Sequence, residues 1–291
     1  MIAEGAKLSR SPIGGTQVTK IFSPSGKSTT AAHIRFRLRT RERLTVWIED
    51  DKGHRVVTLL APRTLRNGTK LDLVWDGFST HGLLASDGVY RPVVKLERSH
   101  RTIVLPNPIQ VDTKPPLISV PHPEYPIMSP DGDGHHDVFR VHYRISERAH
   151  AILAVRGTQV EFTRCCASSG ELVWNGKLKD ANGQLRPVLP GRYVLTVSAQ
   201  DIAGNVSKPF PFAIAQVRYV VLARKRVVVR PGGRFAIRVS TDAPTVGWRL
   251  HGRSGVERRG TLHFRAPKSS GVFYLYVFAA GHAAKCTVVV A

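Results

Sequence analysis

The sequence is poor in cysteine, in acidic residues and in long apolar runs, and each scarcity excludes a class of protein. Three cysteines, Cys165, Cys166 and Cys286, among 291 residues cannot form a disulfide-rich framework, and no Cys-x-x-Cys pair indicates a zinc site. No apolar run reaches the roughly 18 residues of a transmembrane helix. No basic start followed by an apolar segment is present, so we expect no signal peptide in this chain.

The scarcity of acids leaves a strongly basic chain. It contains 43 Lys and Arg against 21 Asp and Glu, a formal net charge of +22. Such an excess favours polyanionic surroundings, namely nucleic acid, anionic glycans or lipid headgroups. The charge is dispersed on alternate residues, which is also typical of a solvated arginine-rich surface. Residues 217–291 are the most basic part, with 14 Lys and Arg and two acids.

Helical periodicity with capping residues is absent, and the apolar residues alternate instead. Ile34, Phe36 and Leu38 alternate with arginines, and FRVHYRI at 139–145 repeats the pattern. Successive side chains of a strand face opposite sides, so each segment has one buried and one wet face. Asn-Gly at 67–68 and at 182–183 is a hairpin dipeptide. The sequence therefore predicts an all-β protein.

An internal repeat of roughly one hundred residues divides the chain, a length that suits a β-sandwich. Four segments recur in the same order: FSP at 22–24 and MSP at 128–130, IRFRL at 34–38 and FRVHYRI at 139–145, VWDG at 74–77 and VWNG at 173–176, DGVYRPVVKL at 87–96 and PGRYVLTVSA at 190–199. The repeat predicts an N-terminal extension at 1–19 and two domains at 20–113 and 114–215. Residues 216–291 lack the Trp-Asp-Gly step, so we interpret them as a different, small β-sandwich.

Four aromatic residues occupy matching positions in the two copies. Trp75 and Trp174 end a strand before Asp-Gly or Asn-Gly, and Tyr90 and Tyr193 follow a turn glycine by two positions. Because each has the parity of its strand's apolar face, we expect all four in the cores. The tyrosines suit a tyrosine corner, in which the hydroxyl bonds to backbone upstream. The alternative is an exposed aromatic pair that stacks on sugar.

This order of motifs resembles the Ig-like domain of flagellar hook-capping (FlgD) proteins and Vpr-type proteases. The second copy carries the resemblance over 127–207, through SPDGDGHHD, VWNG, PGRY and DIAGN, and the first over 21–112, with SPSGKST in place of the acidic loop. The resemblance implies tandem Ig-like β-sandwiches. Such modules are common in secreted and surface proteins of bacteria, where they serve as spacers, adhesion units or appendages of enzymes.

The acidic loop of the second copy is a candidate metal site. Asp131, Asp133 and Asp137 stand among glycines, and Ca²⁺ prefers several oxygen ligands on a tightly turning backbone. The alternative is a cluster of Asx turns that bonds its own backbone. The corresponding segment of the first copy, SPSGKST, keeps the turn residues but has no carboxylate. A structural Ca²⁺ would therefore not be essential to the architecture.

Catalytic patterns are weak, and we expect no enzyme. Three carboxylates in one loop do not provide the spacing of a glycosidase pair, and no G-x-S-x-G elbow is present. Cys165 and His150 could form a thiol–base pair in principle. Aromatics alternate with basic residues in RFAIR and FYLYVF of the third segment, but we expect them in the core rather than stacked on bases.

The sequence therefore predicts a non-enzymatic chain of three β-sandwiches at the cell surface or outside the cell. Its basic faces would contact anionic glycan, cell wall or another surface protein, weakly and with strong salt dependence. One alternative is the accessory region of an exported hydrolase, and another is a cytoplasmic nucleic-acid binder.

If the acidic loop binds Ca²⁺, the second domain alone should melt at a higher temperature with Ca²⁺ than with EDTA, because the ion binds the folded state. Asp133→Ala should abolish the difference. Equal melting of the wild-type domain in both conditions would remove the hypothesis.

Overall fold

A computed structural model describes residues 11–121, 126–131, 134–164 and 166–291. These ranges contain 26 β-strands and no helix, which confirms the all-β prediction. Accordingly, none of the described segments is a helix capable of crossing a membrane. The strands form three successive β-sandwiches, each around its own hydrophobic core.

Nine strands build the first domain: β1 (Ile13–Val18), β2 (Ile21–Phe22), β3 (Ala32–Leu38), β4 (Glu42–Glu49), β5 (Arg55–Leu65), β6 (Lys70–Trp75), β7 (Gly88–Leu96), β8 (Arg101–Val104) and β9 (Ile109–Val111). One sheet has the order β1-β3-β6, and the other has the order β2-β9-β7-β4-β5 with β8 on β7. The short β2 lies parallel to β9, and the other pairs are antiparallel. The domain begins before residue 20, the predicted boundary, because β1 pairs with β3 and buries Ile13 in the core.

Nine further strands build the second domain: β10 (Ile118–Ser119), β11 (Ile127–Met128), β12 (Phe139–Val155), β13 (Thr158–Phe162), β14 (Ala167–Trp174), β15 (Lys177–Lys179), β16 (Leu185–Pro187), β17 (Gly191–Asp201) and β18 (Phe210–Val217). The long β12 occupies the positions that β3 and β4 occupy in the first domain. Its first half pairs with β14 and its second half with β17, and the register shifts between Arg144 and Ala149. The remaining pairings repeat those of the first domain, including the parallel pair β11–β18, except that β15 and β16 form an additional two-stranded sheet and none of the described strands corresponds to β8.

Eight strands build the third domain: β19 (Val221–Leu222), β20 (Arg226–Val229), β21 (Arg234–Ser240), β22 (Thr245–Leu250), β23 (Arg253–Arg258), β24 (Thr261–Arg265), β25 (Gly271–Ala279) and β26 (His282–Val290). Their sheets have the orders β19-β21-β24 and β20-β26-β25-β22-β23, with β20 parallel to β26. This is the arrangement of the first domain without β8. The interpretation of a different sandwich was therefore wrong in topology, since the third domain repeats the same strand order.

The alternation read from the sequence corresponds to burial in the described strands. Ile34, Phe36 and Leu38 of β3 are buried while Arg35 and Arg37 are exposed. The apolar residues of β12 are likewise buried against those of β14 and β17. The second core extends past residue 215, because Val217 and Tyr219 belong to it.

Trp75 and Trp174 are almost fully buried and make the same contact in both domains. Each indole Nε1 donates a hydrogen bond of 3.0 Å to the backbone oxygen three residues ahead, that of Phe78 or Lys177. The Asp or Asn that follows each tryptophan accepts a bond from the backbone N–H two residues on. The Trp-[Asp/Asn]-Gly motif is thus a turn that two side-chain hydrogen bonds close, one from the tryptophan and one to the Asp or Asn.

Tyr90 and Tyr193 lie beside these tryptophans, at ring-centroid distances of 4.9 and 5.6 Å. Both are buried, and each hydroxyl donates a bond of 2.8 Å to the backbone oxygen four residues upstream, that of Ser86 or Leu189. This is the geometry of a tyrosine corner.

The glycine of each Trp-[Asp/Asn]-Gly turn accommodates a proline from the Ser-Pro segment. Gly77 and Gly176 have φ values of +88° and +68°, which favour glycine. A Cβ at Gly77 would stand 2.4 Å from Cγ of Pro24, and one at Gly176 would stand 2.3 Å from Cγ of Pro130. The proline ring therefore packs where any other residue would place a side chain, which explains why the two motifs occur together.

Candidate functional site

The two Ser-Pro loops lie at the junctions between domains. Buried Ser23 and Ser129 each start a loop that a backbone bond closes, from the N–H of Ser23 to the oxygen of Thr29 and from the N–H of Ser129 to the oxygen of His136, both 3.0 Å. The first loop contacts the second domain, and the second loop contacts the third.

At the first junction, the loop of the first domain meets the DIAGN turn of the second. The N–H of Lys27 donates to the oxygen of Gly204 at 2.8 Å. Gly204 has a φ of +95°, and a Cβ there would lie 2.3 Å from Oγ of Ser28. The amide Nδ2 of Asn205 donates at 2.8 Å both to Asp201 of its own turn and to the backbone oxygen of Asp112 in the first domain. The DIAGN motif is thus an element of the interdomain contact.

Three carboxylates converge beside this turn. Oxygens of Asp112, Glu147 and Asp201 lie within 4.8 Å of one another, with Asp112 from the first domain and the other two from the second. Burial, and then the charges of Asp112 and Asp201, raise the pKa of Glu147 above its ordinary range. Among the described residues, these are the ones whose ligand atoms are close enough together to hold a cation.

Two of the predicted metal ligands, Asp131 and Asp137, lie at the other junction. Asp131 is half-buried beside Ser129, whose hydroxyl is 3.5 Å from Oδ2 of Asp131. Asp137 accepts a bond of 2.7 Å from the N–H of Gly134, three residues upstream, which is a backbone contact but not an Asx turn. Asp133 lies outside the described residues. The described part of the loop thus shows a backbone-binding role for Asp137 and leaves the Ca²⁺ hypothesis as a prediction.

An open pocket of about 270 Å³ lies at the second junction, between the second and third domains. The hydroxyl of Ser129 donates to Oδ1 of Asp242 at 2.6 Å, and Nδ1 of the exposed His136 lies 3.9 Å from Oδ2. The Tyr219 ring stacks on His282 of the third domain with centroids 3.4 Å apart. Its hydroxyl donates to the oxygen of Val188 in the second domain at 2.8 Å. The two domains are therefore joined by side-chain contacts in addition to their covalent connection.

The third domain exposes an aromatic face. Tyr274, Tyr276 and Phe278 of β25 are 46%, 37% and 38% exposed, whereas Leu275 and Val277 between them are fully buried. Neighbouring ring centroids are 6.5 and 6.4 Å apart. We call these three residues the aromatic stripe. The expectation that the aromatics of FYLYVF lie in the core was wrong for them, although Phe235 of RFAIR is buried as expected.

A thiol–base pair is formed by Cys166, the neighbour of the predicted Cys165. Cys165 lies outside the described residues, and Sγ of Cys166 is 3.6 Å from Nε2 of His150. Nδ1 of His150 is 2.6 Å from the backbone oxygen of Thr163, which can only accept, so Nδ1 donates this bond and Nε2 faces the thiol. Cys166 and the buried Cys286 are free thiols.

Comparisons with known proteins add little to this picture. No protein-family model matches the sequence, and no curated protein matches it. Among solved structures, fibronectin(III)-like modules of Clostridium thermocellum CbhA are 14% identical over 70% of this chain and 94% of theirs, with a TM-score of 0.35. A bacterial ice-binding adhesin is 12% identical over 95% of both chains, with a TM-score of 0.29. Such low similarity carries no argument, and the fold rests on the strand pairing described above.

Sequence reasoning missed the junction carboxylates and the aromatic stripe. Asp112, Glu147 and Asp201 are far apart in the chain, so no spacing could indicate their proximity. The stripe had a signal: Gly271-Val-Phe273 has the spacing of Gly88-Val-Tyr90, and this alignment makes Phe273 the inward residue and Tyr274 an outward one.

Glu147 makes stability depend on pH. Because its pKa is raised in the folded state, the folded chain holds more protons than the unfolded one between the ordinary glutamate pKa and the raised value. Stability should therefore fall as pH rises through that window. Glu147→Gln should melt at a higher temperature than the wild type near neutral pH and should flatten this dependence.

The measurement is the melting temperature from about pH 4 to 8 in EDTA. Glu257→Gln, at an exposed glutamate of the third domain, is the control and should retain the wild-type profile. A Glu147→Gln profile parallel to that of the wild type would contradict the assignment.

Proposed function

We propose that the chain is a non-enzymatic scaffold of three Ig-like β-sandwiches, located outside the bacterial cell or on its surface, whose basic faces bind anionic glycan or cell-wall polymer. The single observation that carries the proposal is the charge of the third domain combined with its exposed aromatic face. A basic surface attracts polyanions, and a contiguous row of exposed aromatic side chains is a candidate interaction surface.

The junctions support a role as a spacer. Each is crossed by hydrogen bonds between domains, from Lys27 to Gly204 at the first and from Ser129 to Asp242 at the second. The loops that make these contacts are held in place by a rigid proline ring that packs on a glycine. Domains fixed in this way transmit position along the chain. The resemblance of the motifs to the FlgD-type Ig-like module is consistent with such a role.

A structural Ca²⁺ ion remains part of the proposal, with Asp131, Asp133 and Asp137 as ligands. The carboxylates of Asp112, Glu147 and Asp201 provide an internal comparison. A Ca²⁺-dependent rise in melting temperature that Asp133→Ala removes supports the acidic loop, and one that only Glu147→Gln removes overturns that assignment.

The test of function is binding of the full chain to heparin, to wall teichoic acid and to neutral dextran at matched ionic strength. We expect binding to the two anionic polymers, with an affinity that falls about tenfold or more between 50 and 200 mM salt, because released counterions drive such binding. Dextran should not bind. Equal binding to dextran, or no binding to either polyanion, would refute the proposal.

Charge-removal variants locate the effect. Arg224→Gln, Lys225→Gln and Arg230→Gln together remove three exposed charges of the third domain. Arg41→Gln, Lys52→Gln and Lys70→Gln remove three exposed charges of the first domain as the matched control. The first set should weaken binding more, since its charges stand in the more basic domain.

A further inference from the structure

We infer that the outer face of the five-stranded sheet in the third domain is the binding surface for one extended strand of an anionic polysaccharide. The inference rests on the proposed function and identifies the site that performs it. Sugar rings would pack on the aromatic stripe, and the carboxylate or sulfate groups of the polymer would pair with cations beside it.

The strand register places cations on both sides of the central ring. Tyr276 of β25 pairs with Arg249 of β22 on one side and with Lys285 of β26 on the other. All three side chains are exposed and point to the same face of the sheet. Nζ of Lys285 also lies 4.8 Å from the ring centroid of Tyr274. An anionic group bound at Tyr276 would therefore meet a positive charge on either side.

Small residues stand beside the last ring of the stripe. Phe278 pairs with Gly247 on β22 and with Ala283 on β26. Neither neighbour has a side chain long enough to cover the ring. A pyranose has an apolar side formed by its C–H groups, and packing that side on an uncovered ring removes apolar surface from water.

Hydroxyl groups and positive charge complete this face. Thr287 lies opposite Tyr274, Ser254 lies opposite Arg249, and the two tyrosines of the stripe add their own hydroxyls. These groups can exchange hydrogen bonds with sugar hydroxyls. By strand parity, the outward residues of this fully described sheet include four cations and no acid. The cations are Arg226, Arg249, Arg258 and Lys285. A polyanion is therefore the complementary partner.

The fold does not require aromatics at these positions. The strands β7, β17 and β25 all start with Gly-x-[Tyr/Phe], which aligns them. The positions equivalent to the stripe are Arg91, Val93 and Lys95 in β7, and Val194, Thr196 and Ser198 in β17. The first two domains thus build the equivalent strand without an outward aromatic on it, although Trp47 of β4 and Phe162 of β13 lie on the same face of their sheets. Three exposed aromatics in the third domain are unnecessary for folding, which points to a ligand.

The ring spacing favours a polysaccharide over a single nucleic-acid strand. Successive stripe centroids are 6.5 and 6.4 Å apart, about twice the ~3.4 Å rise of a stacked strand. Neighbouring bases would have to unstack from each other to reach neighbouring rings. Sugar units of an extended polysaccharide do not stack on one another, so their ring faces are available to the exposed aromatic rings.

The test replaces the stripe by the residues of the second domain: Tyr274→Val, Tyr276→Thr and Phe278→Ser. These occur naturally at the equivalent positions of β17, so the strand should be retained, and an unchanged melting temperature verifies this. Phe78→Ala, at an aromatic of the first domain that is 41% exposed, is the control. The probes are heparin oligosaccharide, polygalacturonate and oligo-dT of matched charge, titrated against the full chain at about 150 mM salt.

We expect the triple variant to bind the two polysaccharides about tenfold or more weakly than the wild type, with a similar dependence on salt, because the rings contribute little charge interaction. Arg249→Gln with Lys285→Gln should instead reduce the salt dependence. The Phe78→Ala chain should bind like the wild type.

Two results would overturn the inference. Wild-type polysaccharide affinity in the triple variant would place binding elsewhere and leave the proposed function intact. Tighter wild-type binding to oligo-dT, lost in the triple variant, would make the face a nucleic-acid surface. Absence of wild-type binding to any polyanion would instead refute the proposed function itself.

Discussion

The contact between a proline ring and a glycine without a side chain is the constraint on which the first two domains depend. These contacts are Pro24 on Gly77 and Pro130 on Gly176. Each brings the start of a sandwich against the turn that follows β6 in the first domain or β14 in the second. Beneath this contact, a buried tryptophan and a corner tyrosine fill the end of the core. The same contact fixes the Ser-Pro loop, and the loop then provides hydrogen bonds to the next domain. Core packing and interdomain geometry therefore share one set of residues.

The third domain shows what the topology needs and what it does not. It keeps the strand order and the parallel pairing of β20 with β26, yet it has neither the tryptophan turn nor the corner hydroxyl, since Phe273 replaces tyrosine. Alternating burial across two sheets is sufficient for this arrangement. The domain's large sheet presents aromatic and basic residues on its outer face, which is consistent with the proposed roles of the first two domains as spacers and of the third as the binding domain.

The fold was largely predictable from the sequence because its signals are local. Alternation in β3 and β12, the paired tryptophans and the turn glycines all lie within short segments, and the structure places them as expected. The third copy was missed because the Trp-[Asp/Asn]-Gly turn was treated as the mark of the repeat, whereas strand order is the deeper common feature. The stripe was misassigned because FYLYVF reads as a continuous apolar run, and parity needs an anchor such as Phe273. The carboxylates at the first junction could not be found, since their proximity depends on how two domains dock.

Amide hydrogen exchange at Lys27 tests the central claim most directly, because this N–H crosses the first junction to Gly204. Gly77→Ala would force the proline ring off its position without touching Lys27 or the second domain. If the proline–glycine contact holds the loop in place, exchange at Lys27 should accelerate about tenfold or more, while amides of the third domain remain unchanged. Unaltered protection of Lys27 in a folded Gly77→Ala chain would contradict the claim that this contact couples each sandwich to the next.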